Sequence, residues 1–167
     1  MKGLELKSFQ ETLHAGMCGP ASLKIVLEHF GVTKSEAELA LLVGVTDLGS
    51  DDESIKRAAE SLGFKVSIKN ESSFSDIEEW LDRGVPVIVN WFTRGRSDYS
   101  DSEIADGHYS VVAGLDNENI YLQDPEIGGL RTIAKYDFMK VWFDFSGEII
   151  TRENLIIRQI IAILPLS

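Results

Sequence analysis

The residues of this chain that could do chemistry are few: one cysteine, Cys18, and three histidines, His14, His29 and His108. Cys18 lies where a helix is predicted to begin, because Pro20 suits a first helical turn and an apolar-rich run follows it. The positive end of a helix favours the thiolate over the thiol, and the thiolate is the nucleophilic form. Cys18 is therefore a candidate nucleophile, and the alternative is a small buried hydrophobic residue.

A cysteine nucleophile needs a base, and the base needs a group that orients its ring. His108 is the strongest candidate for the base, because it opens a predicted strand and follows Gly107, where backbone can approach other groups closely. Asp124 ends the next predicted strand, and a hairpin would return that end to the start of the His108 strand. Asp124 is thus a candidate for the orienting group, and the alternative is a turn-forming role before Pro125.

The other two histidines fit these roles less well. His29 lies at the predicted end of the first helix, where a cationic side chain interacts well with terminal carbonyls, so we interpret it as a capping or surface residue. His14 lies in a predicted irregular loop before Cys18, and no neighbour in the sequence is placed to orient its ring.

The composition indicates one globular domain over residues 1–167, with 44% hydrophobic residues. The 16 basic and 27 acidic residues are spread without single-sign blocks, which argues against nucleic acid or an anionic membrane as partner.

A single cysteine excludes an internal disulfide, and no cysteine or histidine pair has zinc-ligand spacing, so we expect no metal and no cofactor. The absence of a signal-peptide pattern or a long uninterrupted apolar run predicts a cytoplasmic protein. Nothing in the sequence indicates an oligomeric state.

Helices dominate the prediction for about residues 18–84. Four short helices are expected, each ending at a glycine, the residue that most easily takes the left-handed conformation: Gly31, Gly44, Gly63 and Gly84. The last three are predicted to open with capping boxes, in which a hydroxyl residue precedes a glutamate by three positions: Thr33–Glu36, Ser50–Glu53 and Ser75–Glu78.

Strands dominate the prediction for about residues 85–164. The candidate strands are rich in branched and aromatic residues: Val85–Phe92, His108–Leu115, Asn119–Gln123, Leu130–Ala134 and Gln159–Leu164, with an earlier one at Phe64–Lys69. Pro86 favours an edge position or a strand start. Tyr136–Phe143 is a predicted helix, 145–157 has no assignment, and the polar stretch 93–106 is predicted to be a surface loop. Helices followed by strands predict an α+β domain whose first helix packs on an antiparallel sheet.

Four motifs occur in an order that points to one family: CGPASL opening a helix, GVPVIV in a strand, GHYSVVAGLD entering the next strand and IYLQDPEIG after it. Over about Gln10–Trp142 the sequence resembles the bacteriocin-processing, or double-glycine, cysteine peptidases. The resemblance implies a papain-like fold that cleaves a peptide or amide bond through a thioester. By match to the family's motifs it implies that Cys18 is the nucleophile, His108 the general base and Asp124 the orienting carboxylate. It also implies Gln10 as a donor to the oxyanion hole, although the family's glutamine usually lies closer to the cysteine.

Other functions are compatible with the same residues. Founding members of the family are fused to a membrane exporter, for which this sequence shows no segment, so a double-glycine leader is not assigned as the substrate. A catalytically silent peptide-binding domain that retains the fold is the main alternative, and transfer of the acyl group to an amine, as in phytochelatin synthases, is another. A redox-sensing thiol is disfavoured, because no resolving cysteine accompanies Cys18.

The predicted activation of Cys18 has a direct consequence for its reactivity. We expect iodoacetamide to alkylate Cys18 rapidly at a pH well below about 8.5, where an ordinary thiol ionises. The rate of alkylation against pH, followed by intact-protein mass spectrometry, measures this. A slow reaction with a single inflection near pH 8.5 would contradict an activated thiolate.

Overall fold

The computed structural model describes residues 2–13, 16–46, 49–93, 107–146 and 149–166. Five helices occur in these ranges: α1 (Cys18–His29), α2 (Glu36–Val43), α3 (Asp52–Ser61), α4 (Phe74–Asp82) and α5 (Lys135–Val141). The strands are β1 (Lys2–Gly3), β2 (Phe64–Lys69), β3 (Val87–Phe92), β4 (Gly107–Leu115), β5 (Asn119–Asp124), β6 (Gly129–Ala134), β7 (Phe143–Phe145), β8 (Leu155–Ile157) and β9 (Ile160–Pro165).

The main sheet is antiparallel, with the strand order β2, β9, β3, β4, β5, β6, and β1 pairs with the end of β4. The expected hairpin joins β4 to β5, with Val111 opposite Gln123 and a register shift between Val112 and Gly114. β7 and β8 form a separate two-stranded sheet that the sequence did not predict. The early strand β2 forms one edge of the main sheet and lies beside the last strand, β9.

Helices cover both faces of the main sheet. Neighbouring residues of β3 belong to different apolar clusters: Ile88 packs with α1, α2 and α3, whereas Val87 and Val89 pack with α4 and α5. Successive side chains of a strand point to opposite faces, so the two clusters are the two faces of one sheet. The α+β prediction is confirmed, and α1 packs on the sheet as expected. The sequence did not predict that α4 covers the opposite face of the sheet.

The strand predicted near Pro86 forms, but it is central. β3 begins at Val87, directly after the proline, so the strand-start interpretation is correct. An edge position is wrong, because β4 and β9 pair with the two sides of β3. The missing N–H of Pro86 costs no ladder hydrogen bond, since the proline lies outside the paired segment.

The four predicted helices of the first half are present, and a glycine with positive φ follows each one, at Gly31, Gly44, Gly63 and Gly84. The predicted capping boxes are wrong in position. The observed N-caps are Ser35 for α2, Asp51 for α3 and Ser73 for α4, and their side chains accept from Glu38, Ser54 and Asp76. Each stretch contains several residues able to cap, and packing of the helix against the core decides which one is used.

Two further predictions concern the surface loop at 93–106 and the possibility of a membrane-spanning helix. Apart from Thr93, which is buried, the stretch predicted as a surface loop at 93–106 lies outside the described residues. Among the helices described, none combines the length and the apolar character needed to cross a membrane.

The observed cap of α2 can be tested against the predicted one. Replacing Ser35 with alanine removes the acceptor for the Glu38 N–H and should lower the free energy of unfolding by about 1 kcal/mol in urea denaturation. Thr33→Ala, at the position predicted from the sequence, is the matched control and should change stability far less. An equal or larger loss for Thr33→Ala would contradict the observed cap.

Candidate active site

Cys18 is the first residue of α1 and is partly exposed. Met17 makes no capping hydrogen bond, so its side chain does not compete for the N–H groups of the first turn. Gly19 is required next to the cysteine, because a β-carbon there would overlap the Ser50 hydroxyl. The thiol thus lies at the positive end of α1, and the Ser50 side chain approaches the residue after it.

His108 lies near the start of β4 and is 5% exposed. Its Nε2 lies 2.6 Å from Oδ1 of Asp124 on β5, so the ring donates to that carboxylate. The ring also takes part in a hydrogen bond with Cys18. Because Asp124 occupies Nε2, Nδ1 is the ring nitrogen left for the sulfur. The structure therefore brings together the three residues that the sequence predicted as nucleophile, base and orienting group.

The ring of His108 is also held by an aromatic neighbour. Trp91, its cross-strand partner on β3, contacts the imidazole edge to face with ring centroids 5.4 Å apart. The indole Nε1 donates to the Ser110 hydroxyl at 3.0 Å, which fixes the tryptophan in turn. Packing on one side and a hydrogen bond on the other leave the imidazole little freedom to rotate.

The pKa shifts of His108 and Asp124 favour the charged form of both side chains. Burial alone would lower the pKa of His108, but its hydrogen bonds to Asp124 and Cys18, with the negative charges of both, raise this pKa well above its usual value. Burial alone would raise the pKa of Asp124, but the hydrogen bond from His108 and the charges of His108 and Arg131 hold it below its usual value. Near neutral pH the site is therefore suited to an imidazolium and a carboxylate.

Arg131 on β6 was not among the residues predicted from the sequence. Its Nε donates to Oδ2 of Asp124 at 2.7 Å, and the guanidinium lies 6.0 Å from the centre of the Trp91 ring. On β6 the charged residue is buried and its apolar neighbour is exposed: Arg131 is 8% exposed, whereas Leu130 is 52% exposed. A hydrophobicity pattern assigns the leucine to the inside, and only the position of Asp124 explains the buried arginine.

Asp124 also forms the turn after β5, besides its hydrogen bond to His108. Its Oδ1 accepts from the backbone N–H of Glu126 at 3.0 Å, and its carbonyl accepts from Gly128 at 2.9 Å. The two interpretations made from the sequence are therefore compatible in one residue. The turn after β5 holds the carboxylate within hydrogen-bonding distance of the His108 ring.

Gln10 lies beside this turn. Its side chain is exposed, and its Nε2 donates to the carbonyl of Glu126 at 3.2 Å. Gly128, with φ of 65°, packs against it, and a β-carbon there would lie 2.7 Å from the glutamine Cβ. The amide that the resemblance assigns to an oxyanion hole thus has a backbone carbonyl as its partner.

The two remaining histidines are His29 and His14. His29 lies in the last turn of α1, as predicted, and is half-buried, with its Nε2 2.8 Å from the carbonyl oxygen of Gly84 just after α4. This contact connects the ends of two helices. His14 lies outside the described residues.

The fold and the thiol–imidazole contact define a class: a papain-like cysteine peptidase fold, with the cysteine at the start of a helix and the histidine on a strand of the sheet. Within that class, the chain belongs to the Peptidase_C39 like family, whose model matches residues 7–150.

Relatives agree with this assignment, and solved structures agree with the fold. An uncharacterised protein of Methanothermobacter marburgensis is 33% identical over 140 residues, 82% of each chain. A lactococcin transport/processing ATP-binding protein LcnC-like of Lactococcus lactis is 29% identical over 130 residues, which are 77% of this chain and 17% of that protein. The peptidase domain of Streptococcus ComA superposes with a TM-score of 0.69 at 23% identity, covering 95% of this chain and 98% of that one. A double glycine motif protease from an AMS/PCAT transporter, solved with the leader peptide, has a TM-score of 0.71 at 18% identity and covers 98% and 94%.

The role of Arg131 predicts a measurable effect. Arg131→Met removes one of the two cationic side chains that contact the buried carboxylate of Asp124 and should lower the free energy of unfolding at pH 7 by about 3 kcal/mol. Because Arg131 helps to depress the pKa of Asp124, stability in the wild type is present above the unfolded pKa and is lost as the pH falls through the lower folded one. In Arg131→Met this loss should occur at higher pH.

The control for that experiment is Arg131→Lys, which keeps a positive charge and should restore part of the stability and of the pH dependence. Urea denaturation at a series of pH values measures both variants. If Arg131→Met and Arg131→Lys have superimposable stability curves, the charge of Arg131 does not act on Asp124.

Proposed function

We propose that this protein is a cysteine peptidase that cleaves a peptide or amide bond with Cys18 as nucleophile, His108 as general base and acid, and Asp124 as the orienting carboxylate. The observation that carries the proposal is the buried imidazole of His108, which is hydrogen-bonded to both Asp124 and Cys18. Membership of the Peptidase_C39 like family supports it.

The resting site is a thiolate and imidazolium pair. Asp124 stabilises the imidazolium through its 2.6 Å hydrogen bond, and an imidazolium beside Cys18 is the partner that a nucleophilic thiolate needs. A buried imidazolium without such a partner would release its proton. The carboxylate therefore sets both the orientation and the charge of the ring.

In the acylation step the sulfur of Cys18 attacks the carbonyl carbon of the substrate, and the π electrons move to the carbonyl oxygen. The Cys18 backbone N–H at the start of α1 is one donor to this oxyanion. When the tetrahedral intermediate collapses, the C–N bond breaks and His108 gives its proton to the leaving amine. The product of this step is a thioester on Cys18 and a free amine.

In the deacylation step the neutral ring of His108 takes a proton from water, and the resulting hydroxide attacks the thioester carbonyl. A second oxyanion forms in the same place and collapses with the loss of the Cys18 thiolate. The acid is released, and the proton on His108 restores the ion pair. No atom beyond those of the substrate and one water enters the reaction.

The substrate class follows from the relatives. One of the similar structures is a double glycine motif protease in complex with the leader peptide, and one relative is a lactococcin transport/processing protein. We therefore propose peptides with a double-glycine site as the first substrates to test, beside peptides of other sequence.

Substitutions at the proposed triad separate catalysis from binding. Cys18→Ala removes the nucleophile and should reduce cleavage of a peptide panel to the level without enzyme, while peptide binding persists. His108→Ala should lower kcat by about a thousandfold or more, since the thiolate and the proton donor are both lost. Cleavage is measured by mass spectrometry and binding by calorimetry.

The matched control for the histidine is His29→Ala, whose side chain contacts Gly84 away from the site, and it should keep the wild-type kcat. Peptide binding by wild type and Cys18→Ala, with turnover by neither, would indicate the silent peptide-binding domain instead. Equal turnover by wild type and Cys18→Ala would exclude Cys18 as the nucleophile.

A further inference from the structure

The carboxylate of Asp124 lies between two side chains that can carry positive charge. Its Oδ1 accepts from Nε2 of His108 at 2.6 Å, and its Oδ2 accepts from Nε of Arg131 at 2.7 Å. The side chain of Asp124 is fully buried, and those of His108 and Arg131 are almost so. Water therefore has little access to the carboxylate, and its charge depends on these two neighbours.

The two neighbours of Asp124 differ in whether they keep their charge. A guanidinium stays protonated throughout the pH range of folded proteins, whereas an imidazole does not. In the proposed reaction His108 gives its proton to the leaving amine, so its ring is neutral while the thioester on Cys18 exists. Among the described residues, Arg131 is then the cationic side chain that still contacts Asp124.

The other titratable groups near this pair cannot replace Arg131. Glu126 follows in the turn after β5, and its carboxylate lies 3.9 Å from the Arg131 guanidinium. Cys18 at the start of α1 takes part in a hydrogen bond with the ring of His108, and Glu11 lies in the segment before α1. Each of these groups is neutral or negative, so none can compensate the charge of the carboxylate.

The charge of Asp124 decides whether His108 can act as the base in deacylation. A carboxylate only accepts, so it holds the proton of the neutral ring on Nε2 and leaves the lone pair of Nδ1 free to take a proton from water. A buried carboxylate beside a neutral ring, with no cation in contact, would take up a proton from solvent. Whether that proton lies on the ring or on Asp124, Nδ1 then carries a hydrogen and cannot act as a base.

We propose that Arg131 is a positioning residue for deacylation: it is the permanent counter-ion that keeps Asp124 ionised while His108 is neutral. This inference rests on the proposed peptidase function. In acylation the imidazolium itself compensates the carboxylate, so the charge of Arg131 matters less in that step. Arg131 acts through Asp124 and not on the reacting atoms.

Peptidyl nitrophenyl esters separate the two steps. The Cys18 thiolate adds to the ester carbonyl carbon, the C–O bond breaks as the intermediate collapses, and nitrophenol leaves with the proton from His108. The product is a thioester, which water hydrolyses as in the deacylation step above. Because nitrophenol is a good leaving group, the initial burst of nitrophenol measures acylation and the later steady rate measures deacylation.

The experiment uses the ester of a peptidyl panel that gives the largest burst with the wild-type protein. Arg131→Gln keeps an N–H donor but no charge, and its deacylation at pH 6 should be slower by about tenfold or more. The pH at which deacylation is half-maximal should move upward, while the rate of the burst changes far less. Mass spectrometry should show the acyl group accumulating on Cys18, and Arg131→Lys should restore deacylation towards the wild-type rate.

The matched control is Arg83→Gln. Arg83 also lies over a tryptophan ring, with its guanidinium 4.3 Å from the centre of Trp80, but it is exposed at the end of α4. Both phases should keep their wild-type rates and pH dependence in this variant. Urea denaturation identifies the conditions under which each variant is folded.

Each other outcome has a definite meaning. Equal slowing of both phases in Arg131→Gln, without a change in pH dependence, would indicate a purely structural role and overturn the proposal, as would unchanged deacylation. If Arg131→Gln does not fold, Arg131→Lys decides, because a pH profile displaced upward in spite of the retained charge would overturn the counter-ion role. A wild-type protein that forms neither a burst nor an acyl-enzyme would instead overturn the peptidase function itself.

Discussion

The carboxylate of Asp124 is 1% exposed, and its two oxygens accept from three groups: His108 and the N–H of Glu126 on Oδ1, and Arg131 on Oδ2. Leaving a buried carboxylate without a cation costs several kcal/mol, so these partners must remain in place together. They come from β4, from β6 and from the turn between β5 and β6. The side chain of Asp124 thus fixes the relative positions of three strands. It also fixes the ring of His108, which faces Cys18.

The apolar clusters on the two faces of the sheet supply the other half of this constraint. One cluster packs α1 onto the sheet and so fixes where the chain reaches Cys18; the other contains Trp91, which packs against the His108 ring. Sites carried on packed helices and strands hold their side chains more closely than sites on loops. The thiol and the imidazole meet because a helix start and a strand start are both anchored in the core.

Charge around His108 is predominantly acidic. Asp124 contacts the ring, Arg131 contacts both Asp124 and Glu126, and the charge of His108 acts on Glu11. Carboxylates near an imidazolium stabilise its charged form, which favours the thiolate on the other side of the ring. Burial raises the pKa of Glu11 to about 7, with the charge of His108 opposing and the nearby carboxylates adding to the shift.

The sequence by itself determined the five helices and the six longer strands, though not β1, β7 and β8, and with them the place of Cys18 at a helix start and the hairpin that brings Asp124 to His108. These features follow from local periodicity, from glycines with positive φ and from short connections, all of which are read within a few residues. It did not determine which serine or aspartate caps each helix, that β3 is central, or that α4 covers the second face. Nor did it identify Arg131, which is buried against Asp124. Those choices depend on which distant charge or apolar surface each residue meets, and only the tertiary structure decides that, because burial and ion pairing arise from strand register and packing rather than from local pattern.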